Sequence, residues 1–143
     1  MQRHFINPVY GYYTAADGVR IDPDDTAVPE RPSESHQWTG GAWVFNRSIA
    51  LARLRVDSID AVRQHLNRVA QVHGYDSIEA AVSYADEPAV QRFQADGRAL
   101  RAWRSLVWDR CFQMLDDAEA GRVDVAGPDA IIAALPAIQP IRI

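Results

Sequence analysis

The chain has 143 residues, a net charge of −4 and a single cysteine. Its length suffices for one ordinary domain with a modest core, and its 48% hydrophobic and 24% charged residues are typical of a soluble globular protein. All fifteen basic residues are arginine, and the negative balance argues against nonspecific binding to nucleic acid or to a membrane surface. Cys111 excludes an internal disulfide framework, and its apolar surroundings predict a buried, inert thiol.

Residues 1–45 are predicted to form a β-rich region. The first signal is the segment PVYGYYTAADGVRI, residues 8–21, which predicts a strand, a turn at Asp17 and Gly18, and a second short strand. Tyr10, Tyr12 and Tyr13 fall on the first of these strands, and alternation places Tyr10 and Tyr12 on one face. The next segment, DPDDTAVPERPSES, is polar and contains three prolines, so it predicts an extended connector.

A tight hairpin is predicted around Gly40 and Gly41. Two adjacent glycines between short strands indicate a two-residue turn, because both turn positions need a positive φ. With the glycines at the tip, Trp38 faces Trp43 across the antiparallel pair. Rings in directly opposite positions can contact each other and stabilise the hairpin.

From Asn46 onward the apolar residues recur at helical spacing, so residues 46–143 are predicted to form a helical region. Gly74 is placed where the first long helix should end. Asp76 and Glu79 then have the spacing of a capping box, which predicts a short helix over residues 77–85. The apolar stripe predicted for the first long helix consists of Ala52, Val56, Ile59, Val62, Leu66 and Val69.

A second long helix is predicted to begin with Pro88 at its first position and to end at Gly121. Gly97 falls on the apolar side of this helix, where a small residue permits the close approach of another helix. A short helix from Pro128 to a stop before Pro136 should follow, with an extended tail over residues 137–143. The apolar side of the second long helix is predicted to contain Phe93, Leu100, Trp103, Val107, Met114 and Ala118.

These elements together predict an α+β fold: a small N-terminal β-hairpin region followed by a helical C-terminal region. Two long helices with compatible apolar stripes, joined through a short helix, should pack antiparallel.

No pattern in the sequence predicts a catalytic, cofactor or metal site. His65 and His73 are eight residues apart, whereas a zinc pair on a helix needs a separation of four. A calcium loop opening at the acidic run DPDD would need glycine and glutamate where Ala27 and Ser33 stand. Nucleophile elbows, phosphate-binding loops and dinucleotide fingerprints are missing from the sequence. A hydrolase remains as an alternative only through a carboxylate pair drawn from Asp57, Asp60 and Glu79.

The aromatic residues of the β-rich region are the candidate binding residues. Tyrosine, tryptophan and arginine are favoured at protein interfaces, so these rings can form a recognition surface. The alternative is that they pack as core. Trp38 follows the polar run SESHQ and is the best candidate for contacting a partner. The predicted partner-binding residues are Trp38, Tyr10, Tyr12 and Tyr13.

Two parts of the chain resemble a known group of proteins. The segment VPERPSESHQWTGGAWV, in which a proline-spaced run leads to a Trp-turn-Trp unit, resembles a segment of tailed-phage tail-fibre and tail-fibre assembly proteins. The stretch from residue 65 to 121, followed by PDAIIAALP, is similar to the helical C-terminal region of small phage tail proteins. The motifs that carry the second likeness are GYDSI, SYA and AWRSLVW.

The resemblance implies a non-enzymatic phage protein that binds a tail fibre or another tail protein. Within that group, a tail-fibre assembly chaperone is the first expectation and a permanent component of the tail tip or baseplate is the alternative. A chaperone would act in the host cytoplasm during phage assembly, whereas a structural component would stay in the virion tail. The sequence has neither an apolar run of the roughly 20 residues that span a bilayer nor the apolar core of a signal peptide.

Overall fold

A computed structural model describes residues 1–139 and shows an α+β fold, in which antiparallel strands precede helices, as predicted. The chain divides into two compact units, residues 1–50 and residues 51–143. The division falls just inside the first long helix, whereas the predicted change of character falls after residue 45. The elements are β1 Gln2–Asn7, β2 Gly11–Ala16, β3 Thr26–Val28, β4 His36–Thr39, β5 Ala42–Phe45, α1 Arg47–Val72, α2 Ile78–Ser83, a 3₁₀ turn Tyr84–Asp86, α3 Gln91–Glu119 and α4 Pro128–Ala133.

The N-terminal unit contains a three-stranded antiparallel sheet with the order β2–β1–β3. The first predicted strand is present as β2, and the predicted turn at Asp17 and Gly18 follows it, since Gly18 has a φ of 84° and the Val19 N–H donates to the Ala16 carbonyl at 3.3 Å. The predicted partner strand was wrong, because β2 pairs with β1, which lies before it, and the chain turns between them over residues 8–10. The Asn7 side chain sets this turn: its Oδ1 accepts hydrogen bonds from the N–H groups of Val9 and Tyr10 at 2.8 and 3.1 Å. The predicted second strand after Gly18 was also wrong, and the predicted connector contains β3.

The second hairpin has the predicted geometry. Gly40 and Gly41 have φ values of 62° and 84°, as a two-residue hairpin turn requires. Trp38 pairs with Trp43, which confirms the predicted register.

In the second unit, α1 and α3 run antiparallel, as predicted. Arg55 near the start of α1 forms ion pairs with Asp116 and Glu119 near the end of α3. The ring of His65, in the middle of α1, lies 5.8 Å from that of Trp103 in the middle of α3. Both helices end before a glycine of positive φ, Gly74 at 90° and Gly121 at 74°, as predicted.

The core of this unit lies between α1, α2, α3 and α4. The predicted stripe of α3 is largely confirmed, and Cys111 is fully buried in it as predicted. The stripe of α1 was wrong in its first half: Val56 is 67% exposed, whereas Ser58 is buried. The prediction failed because Ser58, a polar residue, occupies a buried position that an apolar pattern does not identify. The core residues are Val62, Leu66, Ala70, Ile78, Ala81, Leu100, Trp103, Val107, Cys111, Leu115 and Ile131.

Two predicted helix starts were displaced. The N-cap of α2 is Ser77, whose hydroxyl accepts from the Ala80 N–H at 3.1 Å, and Asp76 lies outside the helix. The helix α3 begins at Gln91 with Val90 as its N-cap, so Pro88 precedes it.

The short segment before α3 packs closely against it. A Cβ atom at Gly97 would lie 2.6 Å from the backbone nitrogen of Ala85 and 2.8 Å from the carbonyl oxygen of Ala81. The close approach predicted at Gly97 is therefore present, and its partner is the segment of α2 and the 3₁₀ turn.

The last helix begins with Pro128 at its first turn, as predicted. Of the predicted extended tail, residues 140–143 lie outside the described residues. No helix within residues 1–139 has the length and apolar character needed to cross a membrane.

Candidate partner-binding surface

One face of the β4–β5 hairpin is aromatic along its whole length. Because side chains alternate along a strand, the paired positions 36–45 and 38–43 point to the same face. The Trp38 and Trp43 rings meet edge to face with centroids 5.3 Å apart. The His36 and Phe45 rings, one pair further along, lie 5.6 Å apart. Phe45 remains 56% exposed, and both tryptophans are half-buried.

The aromatic contacts continue from the hairpin onto β2. The Trp43 ring lies edge-on to Tyr12 at 5.4 Å, and its indole N–H donates to the Pro29 carbonyl at 2.8 Å. The Arg31 guanidinium lies 4.6 Å from the Tyr12 ring centroid, in cation–π geometry. We call these residues the hairpin aromatic surface: Tyr12, Arg31, His36, Trp38, Trp43 and Phe45.

Tyr12 is held in this surface by its hydroxyl. The hydroxyl oxygen lies 2.7 Å from Nδ1 of His4 and accepts from the Arg31 backbone N–H at 3.3 Å. The His4 and Tyr12 rings are nearly parallel, with centroids 6.0 Å apart. Tyr12 therefore links the central strand β1, the segment after β3 and the hairpin.

Tyr13 lies on the opposite face of β2 and has a different environment. Its ring stacks on the buried Phe5 at 5.6 Å, and its hydroxyl donates to Asp25. This hydrogen bond, with partial burial and the nearby charge of Asp25, raises the pKa of Tyr13 to about 12. Burial alone would raise the pKa of the Asp25 carboxyl, but hydrogen bonds from Tyr13 and Asn7 outweigh it and hold that pKa below its usual value.

Of the four predicted partner-binding residues, the structure brings Tyr12 and Trp38 together through Trp43 and separates the other two. The placement of Tyr10 on a strand was wrong: it lies in the turn before β2 and is 76% exposed. Sequence reasoning missed Phe45, His36 and Arg31. The first two could have been found, because the predicted register already placed them on the face of the tryptophans.

The carboxylates considered for a hydrolase offer no comparable arrangement. Asp57 and Asp60 are exposed on α1, where Asp60 accepts from Gln64 one turn later, and Glu79 is exposed on α2. Within residues 1–139, no three His, Cys, Asp or Glu side chains come together as metal ligands would.

Comparisons with protein-family models, with curated proteins and with solved structures found no match to this chain.

Proposed function

We propose that the protein is a non-enzymatic tail-fibre assembly chaperone of a bacteriophage, which binds the fibre protein through the hairpin aromatic surface. The observation that carries the binding role is the row of two cross-strand aromatic pairs on one hairpin face, with Phe45 largely exposed. Aromatic side chains and arginine dominate binding energy at protein interfaces because they bury large areas with little conformational cost. The resemblance of this segment to tail-fibre assembly proteins supports the identity of the partner.

The two tryptophans should contribute to different properties. Trp43 contacts Tyr12 and donates to Pro29, so it joins the hairpin to the rest of the N-terminal unit. The ring contact described for Trp38 is with Trp43 alone. Trp43→Ala should therefore lower stability, whereas Trp38→Ala should leave the fold nearly intact and weaken binding.

The test is co-expression with the tail-fibre protein proposed as its partner, followed by affinity capture and measurement of the dissociation constant. Trp38→Ala should weaken fibre binding by about 2 kcal/mol or more, roughly thirtyfold. Val44→Ala is the matched control, because Val44 is exposed on the opposite face of β5. Equal affinity in the wild type and Trp38→Ala would contradict the proposal.

A permanent place in the tail is the alternative, and purified virions distinguish the two roles. A chaperone is absent from the particle, whereas a component of the tail tip or baseplate is present at fixed stoichiometry.

A further inference from the structure

Three aromatic rings surround a pocket in the helical unit. Tyr75 follows α1, Tyr84 begins the 3₁₀ turn and Phe93 lies in the first turn of α3. Their ring centroids are separated by 5.4 to 6.4 Å. The pocket has a volume of about 420 Å³ and is also lined by His73, Arg92 and Asp96.

The local sequence explains why these rings meet. Gly74, with a φ of 90°, reverses the chain after α1, and the Tyr75 N–H then donates to the Ala70 carbonyl at 3.0 Å. The absence of a side chain at Gly97 lets the backbone around Tyr84 approach α3. The motifs GYDSI and SYA, which carry part of the resemblance to phage tail proteins, supply two of the three rings.

Asp96 gives the pocket an unfilled polar contact. Only 8% of the residue is exposed. Oδ2 accepts from the Tyr75 hydroxyl at 2.7 Å, whereas Oδ1 is buried without a hydrogen-bond partner. Burial, followed by the hydrogen bond to Asp96, raises the pKa of Tyr75 to about 12, so its hydroxyl stays a donor to Oδ2 at neutral pH. A buried carboxylate oxygen without a donor is costly, and a ligand that supplies one removes this cost.

We propose that this pocket binds a cationic group that carries N–H donors on an apolar stem, namely an alkylguanidinium or alkylammonium group. The head group donates to Asp96, and the stem packs against the rings of Tyr75, Tyr84 and Phe93. The faces of aromatic rings attract cations, so the three rings and the carboxylate favour the same charge, whereas Arg92, which also lines the pocket, opposes it. The group can belong to a small amine or guanidine, or to an arginine or lysine side chain of another protein. The site lies outside the hairpin aromatic surface and does not depend on the function proposed for it.

Two further groups line the pocket beside Asp96. Tyr84 is the most exposed of the three rings, at 37%. Because Oδ1 of Asp96 is buried, the proposed ligand must displace a lining side chain to reach it. Arg92 lies one helical turn before Asp96, but its guanidinium is placed 5.0 Å from the Phe93 ring centroid. In the described structure no ion pair joins Arg92 to Asp96, so the carboxylate is left for an external donor.

The test follows the ring signals of Tyr75, Tyr84 and Phe93 by NMR during titration of the full chain. The probes are n-butylguanidinium, n-butylammonium, tetramethylammonium and n-butanol. The two probes with charged N–H donors should shift these signals saturably. Tetramethylammonium, which has no N–H, and uncharged butanol should each bind at least fivefold more weakly.

Asp96→Asn keeps the shape of the side chain and removes its charge, so it should weaken butylguanidinium binding at least tenfold. Asp117→Asn is the matched control, because Asp117 lies on the same helix and pairs with Arg122 away from the pocket. Should Asp96→Asn fail to fold, Tyr84→Leu tests the same site with Asp96 intact and should weaken binding at least threefold.

Equal binding of tetramethylammonium and butylguanidinium, unchanged binding in folded Asp96→Asn, or no shift at tens of millimolar probe would each overturn the proposal. Binding that appears only after Arg92→Gln would also overturn it, because Arg92 would then be the pocket's own occupant. A short alanine peptide with one central arginine distinguishes the two sources of the cation. If the peptide binds at least as tightly as butylguanidinium, the natural ligand is a side chain of another protein. If only the free cation binds, the natural ligand is a small molecule.

Discussion

At the scale of single residues, neighbours in the sequence have different roles because a strand turns them to opposite faces. Tyr12 contributes to the hairpin aromatic surface, whereas Tyr13 stacks on Phe5 and donates to Asp25. Alternation predicts that the two rings diverge, and this much can be read from the sequence. The hydrogen-bond partner of each hydroxyl cannot be read from the sequence. His4 and Asp25 reach the two tyrosines through strand pairing and loop geometry, which no local pattern specifies.

His65 should make stability depend on pH. Burial against Trp103, followed by the charge of Arg68, lowers the pKa of His65 in the folded state. The unfolded chain titrates near the ordinary value of about 6.5, so below that pH it takes up a proton that the folded state resists. The stabilisation is therefore complete above about pH 6.5 and is lost as the pH falls through the lowered folded-state pKa.

Urea unfolding midpoints measured between pH 7.5 and pH 5 check this expectation. The midpoint of the wild type should fall over this interval, and His65→Gln should flatten the fall. His73→Gln is the control: it leaves His65 in place, so the urea midpoint of this variant should still fall between pH 7.5 and pH 5. The same slope in wild type and His65→Gln would show that the ring takes up its proton without cost in the folded state.

At the scale of elements, the turn and the register of the β4–β5 hairpin could be predicted, and β1 and β3 could not. A Gly-Gly turn is a local signal, since it fixes the register of the strands on either side. The pairing of β1 with β3 joins segments about twenty residues apart and leaves no local pattern. For α1, the predicted phase relied on Val56 and failed because Ser58 occupies the inner face.

Gly97→Ala should destabilise the packing of α3 against α2 and the 3₁₀ turn. The added methyl group would meet backbone atoms at 2.6 to 2.9 Å, and backbone cannot move aside as a flexible side chain can. Overpacking of this kind costs roughly 1–3 kcal/mol or more, which should exceed the gain of about 1 kcal/mol in helix propensity. Chemical denaturation measures the difference.

Gly127→Ala is the matched control, because a Cβ atom there meets nothing within 4 Å and the backbone is extended at a φ of 175°. It should change the free energy of unfolding by less than about 1 kcal/mol. A neutral Gly97→Ala would show that the segment before α3 can withdraw from the helix without cost.

At the scale of the whole molecule, the α+β class, with strands before helices, follows from a change of apolar period after residue 45. The pocket lined by Tyr75, Tyr84, Phe93 and Asp96 could not be predicted in the same way. Its residues come from the loop after α1, the 3₁₀ turn and α3, and its position depends on a chain reversal at Gly74 and a close contact at Gly97. Periodicity locates buried faces, but it does not identify which ring meets which carboxylate.

Trp103 should contribute more to the stability of the helical unit than a ring at its edge. It is 4% exposed among the core residues of α1, α3 and α4, and its indole N–H donates to the Pro136 carbonyl at 2.8 Å. Trp103→Ala removes both the ring and the hydrogen bond, so it should cost about 3–5 kcal/mol of the roughly 5–15 kcal/mol that stabilises a domain.

Trp103→Phe separates the two contributions, because it keeps an aromatic ring and loses the N–H donor. It should cost less than Trp103→Ala, about 1–3 kcal/mol, since the partly buried Pro136 carbonyl is left without this donor and the smaller ring leaves a gap. Trp108→Ala is the comparison at the edge of the core, where the ring is partly buried and stacks on the exposed Phe112 at 5.6 Å. Urea unfolding followed by circular dichroism at 222 nm should show the lowest midpoint for Trp103→Ala. An equal midpoint for Trp108→Ala would contradict the prediction that Trp103 contributes more to the stability of the helical unit.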